Sequence, residues 1–211
     1  MFDRSRIIVQ PLLLAGLACL VHGGCRKPAA SFLPEGAPFM HRAAAEGRTA
    51  DVKVLMKKDP DPRGPYGWTP LHVAAIAGEP EVAKVLLAHK ANRNAIDEAG
   101  MTPLHWAARK GREQVARLLI AQGAEVMARN KFDMTPLHEA ANVPLARVLV
   151  DAKASLTAKD VDGMTPLHTA STKKVADFLI EKGANIHARA RDGRTPMDMP
   201  PMVKARAKPK K

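Results

Sequence analysis

Apolar residues between 66 and 200 come in short groups that recur at a regular interval, and each group has helical spacing. In the first full copy, Leu71, Ala74 and Ala75 fall on one face of a short helix. That helix begins after Thr69, a residue type that accepts hydrogen bonds at helix N-termini, with Pro70 at the first helical position, where a fixed φ helps. Gly78 breaks it and Pro80 starts a second helix, whose buried stripe is Val82, Ala83, Val85 and Leu86. The phrases VAKVLL, VARLLI, LARVLV and VADFLI mark this second helix in four successive copies, and the pairs Ala74/Ala75, Ala107/Ala108 and Ala140/Ala141 mark the first. Between copies, stretches such as AIDEAGM (95–101) carry the turn residues Asp97 and Gly100. The pattern predicts helix pairs joined by turns, with small alanines letting helices approach closely. One pair cannot bury both of its faces, so stability must come from stacking.

The phrase TPLH stands at Thr69–His72, Thr102–His105, Thr135–His138 and Thr165–His168, with spacings of 33, 33 and 30 residues, and an altered copy, TPMD, follows 30 residues later at Thr195–Asp198. With the alanine pairs and the closing KGAN and QGAE segments, this chain resembles the ankyrin-repeat family over about residues 38–200. The resemblance implies an all-α solenoid of stacked helix pairs with β-hairpin or turn fingers: repeats at about 35–65, 66–98, 99–131, 132–161 and 162–191, then a truncated cap at 192–200. The first copy is degenerate, with Phe39 and Met40 in place of Pro and Leu. The fourth and fifth lack three residues beside the inter-helix glycine of the others, so a tighter inter-helix turn is expected there, with Pro144 starting the second helix of the fourth.

Each of His72, His105, His138 and His168 lies three residues after Thr69, Thr102, Thr135 or Thr165. A ring so placed can bond to the threonine hydroxyl or the local backbone. Stacked helices lie about 8–10 Å apart, whereas zinc ligands converge to about 2 Å from the ion, so the column reads as structural. His89 and His187 read as surface residues.

Trp68, Met101, Met134 and Met164 occupy the position just before each threonine, and stacking is expected to align them as an exposed apolar row. Tyr66, Ile96, Phe132 and Val161 add apolar area along the fingers, and Trp106, Arg109 and Lys110 sit on the neighbouring first helix. These residue types are enriched at interface centres, and the resemblance implies that partner proteins dock on this concave side. The alternative is that they pack against adjacent fingers and only cover the edge.

Upstream, Arg4 and Arg6 precede an apolar run from Ile7 to Val21, then His22, Gly23, Gly24 and Cys25. This reads as a secretory signal over 1–25, too short for a spanning helix of about 20 residues. The cysteine after two glycines is similar to the bacterial lipoprotein signal, which implies acylation at Cys25, or at the rival Cys19, and a membrane-anchored protein facing the periplasm. Cleaved soluble export and a retained anchor remain open. Residues 26–37, RKPAASFLPEGA, read as a flexible tether.

Composition narrows the function class. Only two cysteines occur, so neither a disulfide framework nor a cysteine-rich zinc site holds the repeats. No hydrolase, zincin, phosphate-loop or dinucleotide signature is present, and no catalytic, cofactor or metal residue is assigned. The net charge is +12, and the tail 201–211 contributes Lys204, Arg206, Lys208, Lys210 and Lys211. The leading expectation is a non-catalytic protein-binding module of the cell envelope. The rival is a binder of anionic surfaces or envelope polymers led by the basic tail. No aromatic residue interleaves that tail, which disfavours nucleic acid.

Overall fold

A computed structural model describes residues 31–56 and 59–199. Eight helices follow in order: α1 (Phe39–Ala45), α2 (Thr49–Leu55), α3 (Pro70–Ala77), α4 (Pro80–Ala88), α5 (Pro103–Arg109), α6 (Glu113–Ala121), α7 (Val143–Asp151) and α8 (Lys173–Glu181), with 3₁₀ turns at Pro65–Gly67, Pro136–Glu139 and Pro196–Asp198. They form two layers. The inner one runs α1, α3, α5 and the 136–139 turn, the outer one α2, α4, α6, α7 and α8, each element packing on its neighbour in the stack. One apolar core runs between the layers from Met40 to Leu179, with Leu71, Leu86, Leu104, Leu119, Leu145 and Leu149 completely buried. Ala74, Ala75, Ala107 and Ala108 have no exposure, in keeping with the close packing of α3 on α5. No strand occurs among the described residues, and none of their helices is long and apolar enough to cross a membrane.

Local chemistry sets the helix ends. Gly78 closes α3 with a φ of +86°, a left-handed conformation that favours glycine. Arg112, from the next repeat, then donates Nε–H to the freed Ile76 carbonyl at 3.1 Å. The fingers are turns closed by a pair of backbone bonds, such as Asp97 N–H to Met101 O at 3.0 Å with Gly100 N–H to Asp97 O at 2.9 Å, and Asn130 N–H to Met134 O at 3.1 Å with Asp133 N–H to Asn130 O at 2.9 Å. Successive fingers are linked in a row by single backbone bonds: Glu98 to Tyr66, Lys131 to Ala99, Val161 to Phe132 and Arg191 to Asp162, each N–H donating to the earlier carbonyl. Gly100 sits where this row is tightest, and a Cβ there would lie 2.9 Å from the Lys131 nitrogen.

The shortened repeats depart from the expected helix pair. With three residues fewer between Thr135 and the second helix, the first helix collapses to the single 3₁₀ turn Pro136–Glu139, and the fifth repeat keeps only turns over 166–169. The loss is thus taken from the first helix as well as from the connection. Chain direction is recovered at Ala140, which is extended, and Asn142 caps α7 by accepting the Leu145 N–H at 3.0 Å. The helix starts at Val143, one residue before Pro144. The tether expectation also needs correction at its C-terminal end, because Phe32 and Leu33 pack against the core and Ala37 is buried.

Candidate interaction surface

The histidines build the ledge on which this surface rests. In each TPLH copy the threonine N–H donates to the histidine Nδ1, at 3.1, 3.2, 3.0 and 3.0 Å for His72, His105, His138 and His168. An accepting Nδ1 leaves the proton on Nε2, which donates to a carbonyl of the next repeat: Met101 O at 3.0 Å, Met134 O at 2.9 Å, Met164 O at 3.2 Å and Arg194 O at 3.3 Å. Both ring nitrogens are therefore committed, one to its own cap and one to the following finger. Burial lowers the pKa of all four rings, that of His72 to about 4, so they are neutral at pH 7. His41 donates to Trp68 O at 2.8 Å, but its buried Nδ1 has no partner among the described residues. The physical reason is that Pro38 stands in the threonine's place and has neither an N–H nor a hydroxyl.

These bonds fix the main chain of the residue before each threonine, and the side chains there divide. Met134 and Met164 are half-buried, whereas Met101 is only 2% exposed and Trp68 8%. The expected exposed row is therefore corrected at its first two members. Met101 is enclosed beneath the Arg109 guanidinium, whose Nη1 lies 3.7 Å from the Met101 sulfur. Trp68 is covered by three rings: Phe32 at 6.2 Å, Tyr66 at 5.0 Å and Trp106 at 5.4 Å, the last edge to face.

The Trp68–Trp106 pair is organised by a residue that sequence reading treated only as a turn former. Asp97 is 6% exposed, and its Oδ1 accepts the N–H groups of Ala99 and Met101 at 2.8 and 2.9 Å. Its Oδ2 accepts both indole N–H groups, from Trp68 at 3.2 Å and from Trp106 at 2.8 Å. One carboxylate thus closes a turn and ties two repeats together. The available signal was positional: both tryptophans of the chain fall in the two repeats that flank this finger. Beside them, Arg109 lies over the Trp106 ring at 5.6 Å and pairs through Nε with Glu139 Oε2 at 3.2 Å. Burial raises the Glu139 pKa, and Arg109 opposes that shift.

Of the remaining expected surface residues, Tyr66, Ile96 and Phe132 are 55%, 54% and 58% exposed, Arg109 and Lys110 are exposed, and Val161 is half-buried. Tyr66 and Phe132 occupy the same finger position two repeats apart, whereas Ile96 stands where Arg63 and Arg129 occur in other repeats. Those arginines each bind two carbonyls, Arg63 those of Gly67 and Ile96, Arg129 those of Asp133 and Lys159. Between Tyr66 and Trp106 lies an open groove of about 560 Å³, which Phe32, Trp68 and Glu98 also line. Sequence reading missed Phe32 and Glu98, the one assigned to the tether and the other to a finger tip. Cys19 and Cys25, with the signal segment, lie outside the described residues, as does the basic tail.

A sequence model described as ankyrin repeats matches residues 40–130 and 126–190, which is most of the described chain. The chain belongs to the ankyrin-repeat family. Ankyrin repeats imply a protein–protein interaction module, and the finger edge is built in keeping with that. Curated proteins similar to this ankyrin chain include protein phosphatase 1 regulatory subunit 27 of Homo sapiens, 37% identical over 71 residues, or 33% of this chain and 46% of that protein. The Mus musculus protein of the same name is 38% identical over 67 residues, 31% of this chain and 44% of that protein. The Notch-regulated ankyrin repeat-containing protein B of Danio rerio is 36% identical over 59 residues, covering 27% and 53%. The ankyrin chain spans about half the length of the curated relatives it matches.

Proposed function

We propose that this ankyrin solenoid is an exported, lipid-anchored docking protein of the bacterial cell envelope, without catalysis of its own, that holds a partner protein against its finger edge. The observation that carries the docking reading is the exposure of Tyr66, Ile96 and Phe132 on a row of fingers fixed by the histidine and backbone bonds, with an open aromatic groove at Tyr66. Large apolar side chains left in water on a rigid edge, flanked by Arg109 and Lys110, suit an interface core and its rim. Anchoring rests on the sequence pattern at Cys25. Photo-crosslinking in the source cells tests the docking face. A crosslinking residue at Phe132 should capture a protein that the same residue at Lys84, on the outer layer, does not. Equal capture at both positions would contradict the face. For the anchor, intact mass should show diacylglycerol on Cys25, and Cys25→Ser should release the chain from the membrane or block its processing.

One observation favours the rival reading. Basic and acidic residues nearly balance within the described solenoid, so the positive excess sits at Arg4, Arg6, Arg26, Lys27, Lys57, Lys58 and in the 201–211 tail. An anionic-surface binder would lose its attachment when residues 202–211 are removed or salt is raised. A finger-edge docking protein would lose it only on substitution of the fingers.

A further inference from the structure

Building on the reading that the finger edge is a docking face, we propose that the groove between Tyr66 and Trp106 receives an arginine side chain of the partner. The groove is rich in what a cation needs and poor in what an anion needs. Its two indole N–H groups are both spent on Asp97 Oδ2, at 3.2 and 2.8 Å, so neither is free to donate to a ligand. What lines it besides is the rings of Tyr66, Phe32 and Trp106, Tyr66 being exposed, and the exposed residue Glu98. Glu98 has no ion pair among the described residues, and Asp97 is bound by four N–H donors but by no cation. The one positive group lining the groove, Arg109, is already paired with Glu139. One exposed carboxylate without an ion pair, Glu98, therefore meets the ligand beside the aromatic rings, with the buried negative charge of Asp97 behind them, and a group bringing both positive charge and N–H donors complements it.

Geometry selects guanidinium over ammonium. A planar, weakly hydrated guanidinium lies flat on a ring and still donates in its own plane to a carboxylate, whereas an ammonium gives up more hydration to do so. Among the described residues this chain makes that contact with arginine three times, Arg48 over Phe39 at 4.8 Å, Arg147 over Phe178 at 5.0 Å and Arg109 over Trp106 at 5.6 Å, and with lysine once, Lys182 over Phe178 at 5.7 Å. Tyr66 is half-exposed and carries no such cation among the described residues. At about 560 Å³ the groove has room for one long side chain and its flanking backbone.

The protein supplies its own reporter. Its only two tryptophans, Trp68 and Trp106, both line this groove, so indole emission reads this site alone. The full chain is titrated at low ionic strength with acetyl-Gly-Arg-Gly-amide, its lysine counterpart, and the citrulline peptide that keeps the shape of arginine without its charge. The expected result is a saturable emission change for the arginine peptide that weakens with added salt, with the citrulline peptide at least 10-fold weaker and the lysine peptide about 3-fold weaker. Glu98→Gln should weaken arginine binding about 3-fold with an unchanged melting temperature, and Tyr66→Ala about 5-fold with a lowered melting temperature but an intact fold by circular dichroism, because the Tyr66 ring also covers Trp68. Absence of saturation, or citrulline binding as well as arginine, overturns the proposal; equal binding of lysine overturns the guanidinium assignment. If the peptide fails but the partner still depends on Tyr66 and Phe132, only this inference falls. If the peptide binds but finger substitutions leave the partner bound, the docking reading falls instead.

Discussion

Replacing Asp97 by asparagine changes one atom of the carboxylate and should separate its two tasks. Asn130 occupies the same finger position in the next repeat, and there its Oδ1 accepts the N–H groups of Phe132 and Met134 at 2.9 and 3.0 Å. An amide at 97 can therefore keep the turn. It cannot keep the tryptophans, because its NH₂ would face the two indole donors that Oδ2 now accepts. A hydrogen bond to a charged group contributes about 1.5–3 kcal/mol, so losing two with opposed donors left behind should cost about 3 kcal/mol. Asp160 is the control. It makes the same two backbone bonds, to Asp162 and Met164 at 2.9 and 2.8 Å, with no tryptophan nearby, so Asp160→Asn should cost less than about 0.5 kcal/mol. The assay is urea unfolding followed by helical circular dichroism and by tryptophan emission, with Trp106→Phe completing a double-mutant cycle with Asp97→Asn. The coupling should be at least about 1 kcal/mol. Equal cost for Asp97→Asn and Asp160→Asn, or no coupling to Trp106, would refute the tie between repeats.

Pro38→Thr should raise stability by about 1 kcal/mol, since the new N–H and hydroxyl reach the unpartnered Nδ1 of His41; a melting temperature unchanged or lowered would show that this nitrogen costs nothing. Met101→Ala should cost about 3 kcal/mol and Met134→Ala less than about 1.5, although the two share one register, because only the first is fully enclosed; equal costs in denaturant titration would contradict the assigned burial. For pH, the unfolded chain takes up protons on histidine below its ordinary pKa of 6.5, while the buried rings resist protonation, His72 down to about 4. Stability is thus full above pH 6.5 and falls as pH drops toward 4, by about 3 kcal/mol from His72 alone. Melting curves between pH 7 and 4 check this, and His72→Gln should flatten the slope; an unchanged slope would remove His72 as its source.

The repeat architecture was legible because it is written redundantly. Thr69 and His72, with the copies that follow, cap a helix and bind the next finger at once, and a unit that must match its neighbours repeats its chemistry. What is not repeated was harder to read. Met101 and Met134 stand in identical phrases, yet their burial differs because Trp106 and Arg109 of one repeat enclose the former, and exposure at a shared register depends on residues of adjacent units. The three-residue deletion was visible, but its effect fell on the first helix because the cap and the finger bonds keep their positions at its start, so the missing residues shorten its far end. Asp97 looked like any turn aspartate, since its second role exists only once stacking brings Trp68 and Trp106 to the same oxygen. Phe32 and Leu33 were two apolar residues in a Pro- and Ala-rich segment, and their packing depends on a surface that only the folded first repeat offers.

The central claim, that the finger edge is where a partner protein is held, is tested most directly by the double variant Tyr66→Glu with Phe132→Glu. Once crosslinking at Phe132 has supplied the partner, its affinity for the variant and the parent chain is measured by calorimetry, alongside their melting temperatures. Because Tyr66 and Phe132 are 55% and 58% exposed and only Tyr66 packs on a buried ring, that of Trp68, the variant should melt within about 5 °C of the parent. Its affinity should fall about 30-fold or more, the 2 kcal/mol scale of an interface hot spot. A variant that folds as well as the parent and binds the same partner with unchanged affinity would contradict the account.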